Sequence, residues 1–263
     1  AVTTTPGVTV TGSSSTPTMV GGNALNLYIR SHGVVTVSNL SVLQSSSSNG
    51  ADIDNRGVNT SPLGVTISNC NFNYNKSYGL LAISYGAITL RSVEALDNGS
   101  YGVNLNNSAA ATNVGVTIAG KSGRSSLSYN GSTGLSINTR GKVTVSNILT
   151  VNNENGGIIL YNNSSPDQQT TSLTNIYSAF NSGGSGYGIR LGVKGNLTLS
   201  GIYALNNTNN GVQINSSAGN VTLSGSNNIA SGNGVSGFVV SSVGAVSLSK
   251  LTTENNTNYG VYV

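Results

Sequence analysis

A hydroxyl residue between two apolar residues recurs along the chain every 23 to 30 residues. Segments such as Val35-Thr36-Val37, Val65-Thr66-Ile67 and Val221-Thr222-Leu223 carry it. Alternation of period two puts each apolar pair on one face of a strand and the hydroxyl on the opposite face. The ten hydroxyl positions are Thr9, Thr36, Thr66, Thr89, Thr117, Thr144, Ser172, Thr198, Thr222 and Ser247. A long period that persists through the chain predicts one repeated unit rather than a domain with a unique core.

Two more strand-like stretches follow in each unit. In the second, apolar residues stand two apart, as in Leu40 and Val42, Cys70 and Phe72, Val93 and Ala95, and Ile202 and Ala204. The third starts at a glycine, namely Gly50, Gly79, Gly102, Gly134, Gly157, Gly188, Gly211, Gly237 or Gly260. In most units an asparagine lies four residues earlier, at Asn75, Asn98, Asn130, Asn153, Asn207, Asn233 and Asn256. Because Asn and Gly tolerate positive φ, they predict a sharp left-handed turn before the third strand.

These stretches predict an all-β fold, a single-stranded parallel β-helix with about ten turns of chain, or rungs, and three short strands per rung. Helix is not expected, because Gly, Asn and β-branched residues interrupt every candidate segment. Residues 1–263 form one solenoid domain in this interpretation. An up-and-down β-sandwich is the alternative fold, although hairpin turns would not need a common period.

The repeat also resembles a known family. The patterns G-x-V-T-V/L-S and N-x-x-x-G-V-x-I, found from Val8 to Val263, are similar to those of right-handed parallel β-helix, pectin-lyase-like proteins of secreted and cell-surface type. The resemblance implies the architecture, and its right-handed winding agrees with the general preference of parallel crossovers. It does not imply one activity, since the architecture carries lyases, glycosidases, tailspikes, adhesins and surface stalks.

The composition limits the partners and the compartment. Only 7% of the chain is charged, with a net charge of +4 and no basic run, so a nucleic-acid partner is not expected. The sequence predicts no membrane span, and the single Cys70 excludes an internal disulfide and occupies an apolar slot, where we expect burial. We predict an extracellular or cell-surface protein, mature after removal of a signal peptide.

The strongest candidates for chemistry are two carboxylates. The resemblance implies that β-helix enzymes act on acidic polysaccharides through clustered Asp, with Arg or Lys as base or clamp. Asp52 and Asp54 share one outward strand face, at a separation suited to paired catalysis or to calcium. The equivalent positions on the next rungs are Leu81, Asn104 and Asn106, so no further charged group is expected to join them. We therefore predict no enzyme, no cofactor and no metal site, with a polysaccharide lyase or glycosidase as the alternative.

Other polar residues have simple structural explanations. Glu94 and Asp97 lie on one rung near Arg91, which predicts an outward ion pair. His32 is the only histidine, and alone it makes neither a catalytic triad nor a zinc site.

Tyrosines are the candidate binding residues. Tyr78, Tyr101, Tyr187 and Tyr259 each precede a third-strand glycine, and Tyr177 and Tyr203 fall at matching outward positions on successive rungs. Exposed tyrosines supply rigid contact area for a sugar ring or a partner surface. Stacking along the rod explains the same pattern without binding.

The hydroxyl positions have a second column two residues further on. It contains Thr11, Ser38, Ser68, Arg91, Ala119, Ser146, Thr174, Ser200, Ser224 and Ser249. A flat hydroxyl face resembles ice-binding solenoids, although Arg91 and Ala119 interrupt it. The chain also shows no clear cap at either end, which predicts stacking of copies. The predicted function is an extracellular rod that self-assembles head to tail or laterally into a filament, sheath or stalk. A carbohydrate-binding or carbohydrate-active protein is the first alternative, and an ice-binding solenoid is a minor one.

Overall fold

The computed structural model describes residues 7–56, 63–111, 113–163 and 167–263. These residues form short strands joined by turns, without a helix. The strand pairs among them are parallel, and each strand pairs with its equivalent in the next repeat. The fold is therefore the predicted single-stranded parallel β-helix, with three sheets that run along its length.

The first sheet contains the recurring hydroxyl residues. Among the described residues it has ten strands: Val8–Thr11, Val35–Ser38, Val65–Ser68, Ile88–Arg91, Val116–Ala119, Val143–Val151, Thr171–Ala179, Leu197–Leu205, Val221–Ser224 and Val246–Leu248. Every step keeps the predicted alignment, from Thr9 opposite Thr36 to Thr222 opposite Ser247. The sequence period therefore sets the register.

The second sheet uses short strands and the second halves of the three longest strands of the first sheet. Its own strands are Thr18–Gly21, Leu40–Leu43, Asn71–Asn73, Ala95–Leu96, Ser125–Ser128, Asn228–Ser231 and Leu251–Thr252. The third sheet comprises Leu27–Arg30, Ala51–Asn55, Leu80–Ser84, Val103–Asn106, Thr133–Asn138, Gly156–Tyr161, Tyr187–Val193, Val212–Ser216, Phe238–Ser242 and Val261–Tyr262. Each rung therefore contributes one strand or half-strand to each sheet.

The interior is filled by the apolar residues of the repeat. Along a strand such as Val35–Ser38, buried and half-buried residues alternate. Phe72 and Phe238 are the largest of the fully buried side chains. Cys70 is completely buried, as predicted. Its rung neighbours are aliphatic, so burial raises the pKa of the Cys70 thiol.

The left-handed turn before the third strand is present, but it lies one residue earlier than the sequence suggested. On the rungs from Tyr74 onward, the residues with positive φ at this corner are Tyr74, Asp97, Tyr129, Asn152, Phe180, Asn206, Gly232 and Asn255, with φ between 51° and 69°. The predicted asparagines follow directly and do not have positive φ. Their role is a different one.

These asparagines form a buried ladder along the axis. Each Nδ2 donates to a strand carbonyl on the previous rung, and all but that of Asn256, the half-buried last member, also donate to the Oδ1 of the asparagine on the next rung, as Asn98 does to the Phe72 oxygen and to Asn130. The ladder runs through Asn75, Asn98, Asn130, Asn153, Asn181, Asn207, Asn233 and Asn256, with Nδ2–Oδ1 distances of 2.9 to 3.1 Å. Each Oδ1 also accepts the backbone N–H of the preceding asparagine. Burial is thus matched by full hydrogen bonding.

The ladder explains the third-strand glycines. A Cβ on Gly102 would lie 2.7 Å from the Gly134 carbonyl oxygen and 2.8 Å from Asn130 Nδ2. Gly211 shows the same approach, with Asn233 Nδ2 at 2.6 Å and the Gly237 oxygen at 2.8 Å. These glycines are therefore required by space next to the ladder, and not by positive φ.

Candidate functional site

The acidic pair lies on the outward face of the third sheet. Asp52 and Asp54 alternate with buried residues in the strand Ala51–Asn55. On the following rung their neighbours are Leu81 and Ile83, which are apolar as expected. On the preceding rung their neighbours are Tyr28 and Arg30, opposite Asp52 and Asp54 respectively. The sequence prediction considered only the later rungs, and for that reason it missed this arginine.

Asp54 forms a bidentate ion pair with Arg56. The Arg56 Nε and Nη2 atoms donate to Asp54 Oδ1 and Oδ2 at 2.8 and 2.7 Å. This contact holds the pKa of Asp54 below its ordinary value. Burial, followed by repulsion from Asp54, raises the pKa of Asp52. The expectation that no basic residue joins the pair is therefore wrong, since Arg56 is only two residues further along the chain.

A polar cleft opens beside this pair, with a volume of about 200 Å³. Its lining consists of Arg30, Ser31, His32, Asp54, Arg56 and Tyr85, which come from three successive rungs. His32 is exposed and lies in a bend, but it is not isolated, because the corner brings it next to two arginines and a carboxylate. In the described part of the chain, no group of three His, Cys, Asp or Glu residues could hold a metal ion. The arginines of the cleft can donate hydrogen bonds, and the Asp54 carboxylate can accept them.

The second acidic group makes a different contact from the one expected. Glu94 Oε1 accepts a hydrogen bond from Lys121 Nζ at 2.9 Å, across to the next rung. The predicted ion pair between Glu94 and Arg91 is therefore wrong, because the partner of Glu94 is Lys121. A long loop between the first and second sheets carries Lys121, and its path was not readable from the repeat. The contact is exposed on the surface, so it contributes little to stability.

The predicted tyrosines form separate groups. Tyr78 and Tyr101 contact each other with ring centroids 5.2 Å apart, and Tyr177 and Tyr203 stack at 6.2 Å with an interplanar angle of 25°. Tyr187 lies beside Arg190, and Tyr259 pairs with Tyr262. The six tyrosines therefore do not make one continuous binding surface.

One of these groups includes an arginine that the sequence did not indicate. The Arg124 guanidinium carbon lies 5.7 Å from the Tyr177 ring centre and 5.8 Å from that of Tyr203. Arg124 Nη2 donates to Asn175 Oδ1 at 2.5 Å, and Nε donates to the Asn175 carbonyl at 3.4 Å. Its only sequence signal is its place just before the second strand of its rung, where most other rungs have asparagine and the others Ser92, Gly201 and Lys250.

The two hydroxyl columns lie side by side on the outward face of the first sheet. The pairing confirms their alignment through nine steps in the first column, and Ser38, Ser68, Arg91 and Ala119 follow one another in the second. Ser249 lies after the last strand, where its Oγ donates to the Leu223 carbonyl at 2.9 Å. Arg91 is the one charged side chain among these twenty positions. The face is therefore long and nearly neutral.

The strand pairing defines the protein as a single-stranded parallel β-helix. Among solved structures, pectate lyase Pel9A is similar to this chain at 15% sequence identity and a TM-score of 0.44, over 96% of this chain and 69% of that one. No protein-family model and no curated protein matches the sequence. No helix of the described residues is long and apolar enough to cross a membrane.

Proposed function

We propose that this protein is an extracellular structural rod whose first sheet associates side by side with other copies. The observation that carries the proposal is the in-register stack of ten described strands in the first sheet, with two outward hydroxyl columns. Nine spacings of roughly 4.8 Å between the ten strands make a strip about 43 Å long. Its twenty side chains match the roughly 20–30 residues that each partner contributes to a stable interface.

The chemistry of this strip favours contact with a like surface. Charged side chains on sheets oppose association, and the strip has only one, Arg91. Thr and Ser are short, so two such faces approach closely without ordering long side chains. Their hydroxyls both donate and accept, which lets identical columns hydrogen-bond to each other.

A charge at the centre of the strip tests the proposal. We expect sedimentation velocity of the protein to show concentration-dependent association, with bundled rods in electron micrographs. Thr144→Lys should abolish association through this strip, because two lysines would then face each other. Ser136→Lys, an equally half-buried position on the third sheet, is the matched control and should associate normally. Single rods at every concentration would contradict lateral association.

Two expectations attached to this proposal are tested separately. Export is checked by the intact mass and N-terminal sequence of the protein recovered from its native source. The ice-binding alternative uses the same hydroxyl strip, so Thr144→Lys would reduce any thermal hysteresis. No hysteresis and no shaping of ice crystals would remove that alternative.

A second candidate function is turnover of a polysaccharide at the cleft beside Asp54. The supporting observation is that the environments of Asp52 and Asp54 shift their pKa values in opposite directions, an arrangement typical of an acid and a base. Arg30 and Arg56 would then hold an anionic substrate. The test is release of new reducing ends or unsaturated products from acidic polysaccharides. Activity that is lost in Asp52→Asn and Asp54→Asn, but kept in Glu94→Gln, would establish this function.

A further inference from the structure

Three exposed aromatic residues line the corner between the second and third sheets, directly before the ladder asparagines. Tyr74, Tyr129 and Phe180 occupy this corner on alternate rungs and are 56%, 55% and 50% exposed. Backbone pairing keeps the corner in register from rung to rung. We call these three residues the aromatic ridge. On the other described rungs the corner has Gly22, Gln44, Asp97, Asn152, Asn206, Gly232 and Asn255.

The aromatic ridge is kept at a conformational cost. This corner has positive φ on every described rung, and six of the seven non-aromatic rungs have Gly, Asn or Asp there, with Gln44 as the exception. Tyr74, Tyr129 and Phe180 adopt φ of 58°, 59° and 54°, which is unfavourable for bulky side chains. All three are at least half exposed, so burial in the core does not offset this cost. Strained aromatic residues at the surface point to a contact outside the rod.

The spacing of the aromatic ridge fits a second copy of the same rod. Rungs are roughly 4.8 Å apart, so rings on alternate rungs are separated by about 9.6 Å. Aromatic pairs prefer centroid separations of roughly 4.5–7 Å, which is less than that distance. A ring inserted midway would lie about 4.8 Å from each neighbour, within the preferred range. A second rod has the same rung spacing, so its rings would fit these gaps at every step.

An antiparallel pair brings rings and gaps together. With parallel rods related by a two-fold axis along their length, each ring would meet its own equivalent and the gaps would stay empty. With antiparallel rods, and the two-fold axis midway between the rungs of Asp97 and Tyr129, the rings of the two copies alternate along the contact. Tyr129 would then lie beside Asp97 of the second copy, and Tyr74 beside Asn152 of the second copy. Both phenol hydroxyls would therefore have a hydrogen-bond acceptor.

Two exposed charges favour this position of the axis. Lys76 and Glu154 occupy equivalent places, two residues after the corner of their rungs, and so lie on the same side of the aromatic ridge. Neither makes an ion pair within the described part of its own chain. The antiparallel arrangement places Lys76 of each copy opposite Glu154 of the other, which makes two ion pairs. An axis one rung further along would also interleave the rings, but it would set Phe180 against the Asp97 carboxylate and separate these charges.

We propose that two copies of the rod pair antiparallel through the aromatic ridge, in a contact distinct from that of the first sheet. The corner between the second and third sheets lies across the rod from the first sheet. Rods with one self-contact on each side would therefore extend from pairs into layers. Three rings per copy expose much less than the roughly 800 Å² per partner of a standard interface, so we expect a dimer that depends on concentration.

Sedimentation velocity of the Thr144→Lys variant tests the aromatic ridge alone, because that variant removes association through the first sheet. We expect a monomer–dimer equilibrium in this background. Adding Tyr129→Asn should weaken dimerisation by about tenfold or more, since one such ring from each copy lies next to the two-fold axis. Asn is favourable at this corner, so thermal stability should not fall. Tyr28→Asn removes an exposed tyrosine from the third sheet and is the matched control, which should dimerise normally.

Charge reversal tests the antiparallel register. Lys76→Glu and Glu154→Lys, each in the Thr144→Lys background, should weaken dimerisation by about tenfold, because each places like charges opposite each other twice. The double variant exchanges the charges and should restore dimerisation to within about threefold of the background. Lys142→Glu reverses an exposed charge on another corner and should have no effect.

Three results would overturn the proposal. Single rods of Thr144→Lys at every concentration would do so without affecting the first-sheet contact, and would leave the aromatic ridge for a different partner. Unchanged dimerisation after Tyr129→Asn would show that the dimer uses another surface. Dimerisation as weak in the double charge variant as in the single ones would exclude the antiparallel pairing.

Discussion

Asn98 and Asn130 are separated by 32 residues in sequence, yet the Asn98 Nδ2 atom donates to Asn130 Oδ1 at 2.9 Å inside the rod. Neither side chain is more than 1% exposed. The same contact links each ladder asparagine to the next, so the rungs from Asn75 to Asn256 are joined by side chains as well as by backbone. In a low-dielectric interior, such a chain of amides favours one stacking register over all others.

Removal of one ladder residue should therefore destabilise the whole rod. In Asn130→Ala, the Asn98 amide groups lose their acceptor, and the Ala95 carbonyl and Asn153 Oδ1 lose a donor. We expect the free energy of unfolding to fall by about 2–4 kcal/mol, because the abandoned groups stay buried. Chemical denaturation followed by circular dichroism measures this loss. Asn138→Ala, at an exposed position of the same rung, should change stability by less than about 0.5 kcal/mol.

The glycines next to the ladder should be intolerant of even one methyl group. Gly102→Ala would place a Cβ 2.7 Å from the Gly134 oxygen and 2.8 Å from Asn130 Nδ2. Backbone and ladder must then move apart, and we expect a loss of about 2 kcal/mol or more. Gly123→Ala is the control, since nothing lies within 4 Å of the added carbon. Equal melting temperatures for the two variants would show that space beside the ladder is not limiting.

The sequence predicted the rungs because apolar spacing alone determines which residues turn inward. The sequence assigned the ladder asparagines to a left-handed turn instead. Asparagine occurs both in such turns and in buried stacks of amides, and only its burial in the structure distinguishes the two roles. Asn181 escaped notice because the glycine-rich loop after it places it seven residues before Gly188 instead of four. The Glu94 and Arg124 contacts depend on side chains that reach across rungs, which a one-rung alignment does not represent.

The single thiol provides a check on the packing of the interior. Cys70 is fully buried, its pKa is raised by that burial, and its Sγ donates to the Ser68 carbonyl at 3.2 Å. A thiol in this state reacts slowly, since the thiolate is the nucleophile. We expect no labelling of the native protein by an aromatic disulfide reagent at pH 8, and one equivalent of labelling in denaturant. Rapid labelling of the folded protein would contradict the placement of the second strand.

The two carboxylates of the acidic pair, Asp52 and Asp54, should affect stability with opposite signs. Arg56 lowers the pKa of Asp54, so the stability from this pair is present above the unfolded pKa of about 3.9 and is lost as pH falls through the lower folded value. The pKa of Asp52 is raised by burial and by Asp54, so its contribution is favourable below about pH 3.9 and is lost as pH rises through the folded value.

At pH 7, Asp54→Asn should therefore destabilise the protein, and Asp52→Asn should stabilise it. Both effects should stay below about 1 kcal/mol, since the groups are near the surface. Denaturation curves at pH 7 and about pH 2.5 measure the differences. The Asp52→Asn difference should shrink at the acid pH because Asp52 is then largely protonated in both states, and the Asp54→Asn difference should shrink as Asp54 becomes protonated in the folded protein. Stabilisation by Asp52→Asn that persists at the acid pH would show that it comes from packing rather than from charge.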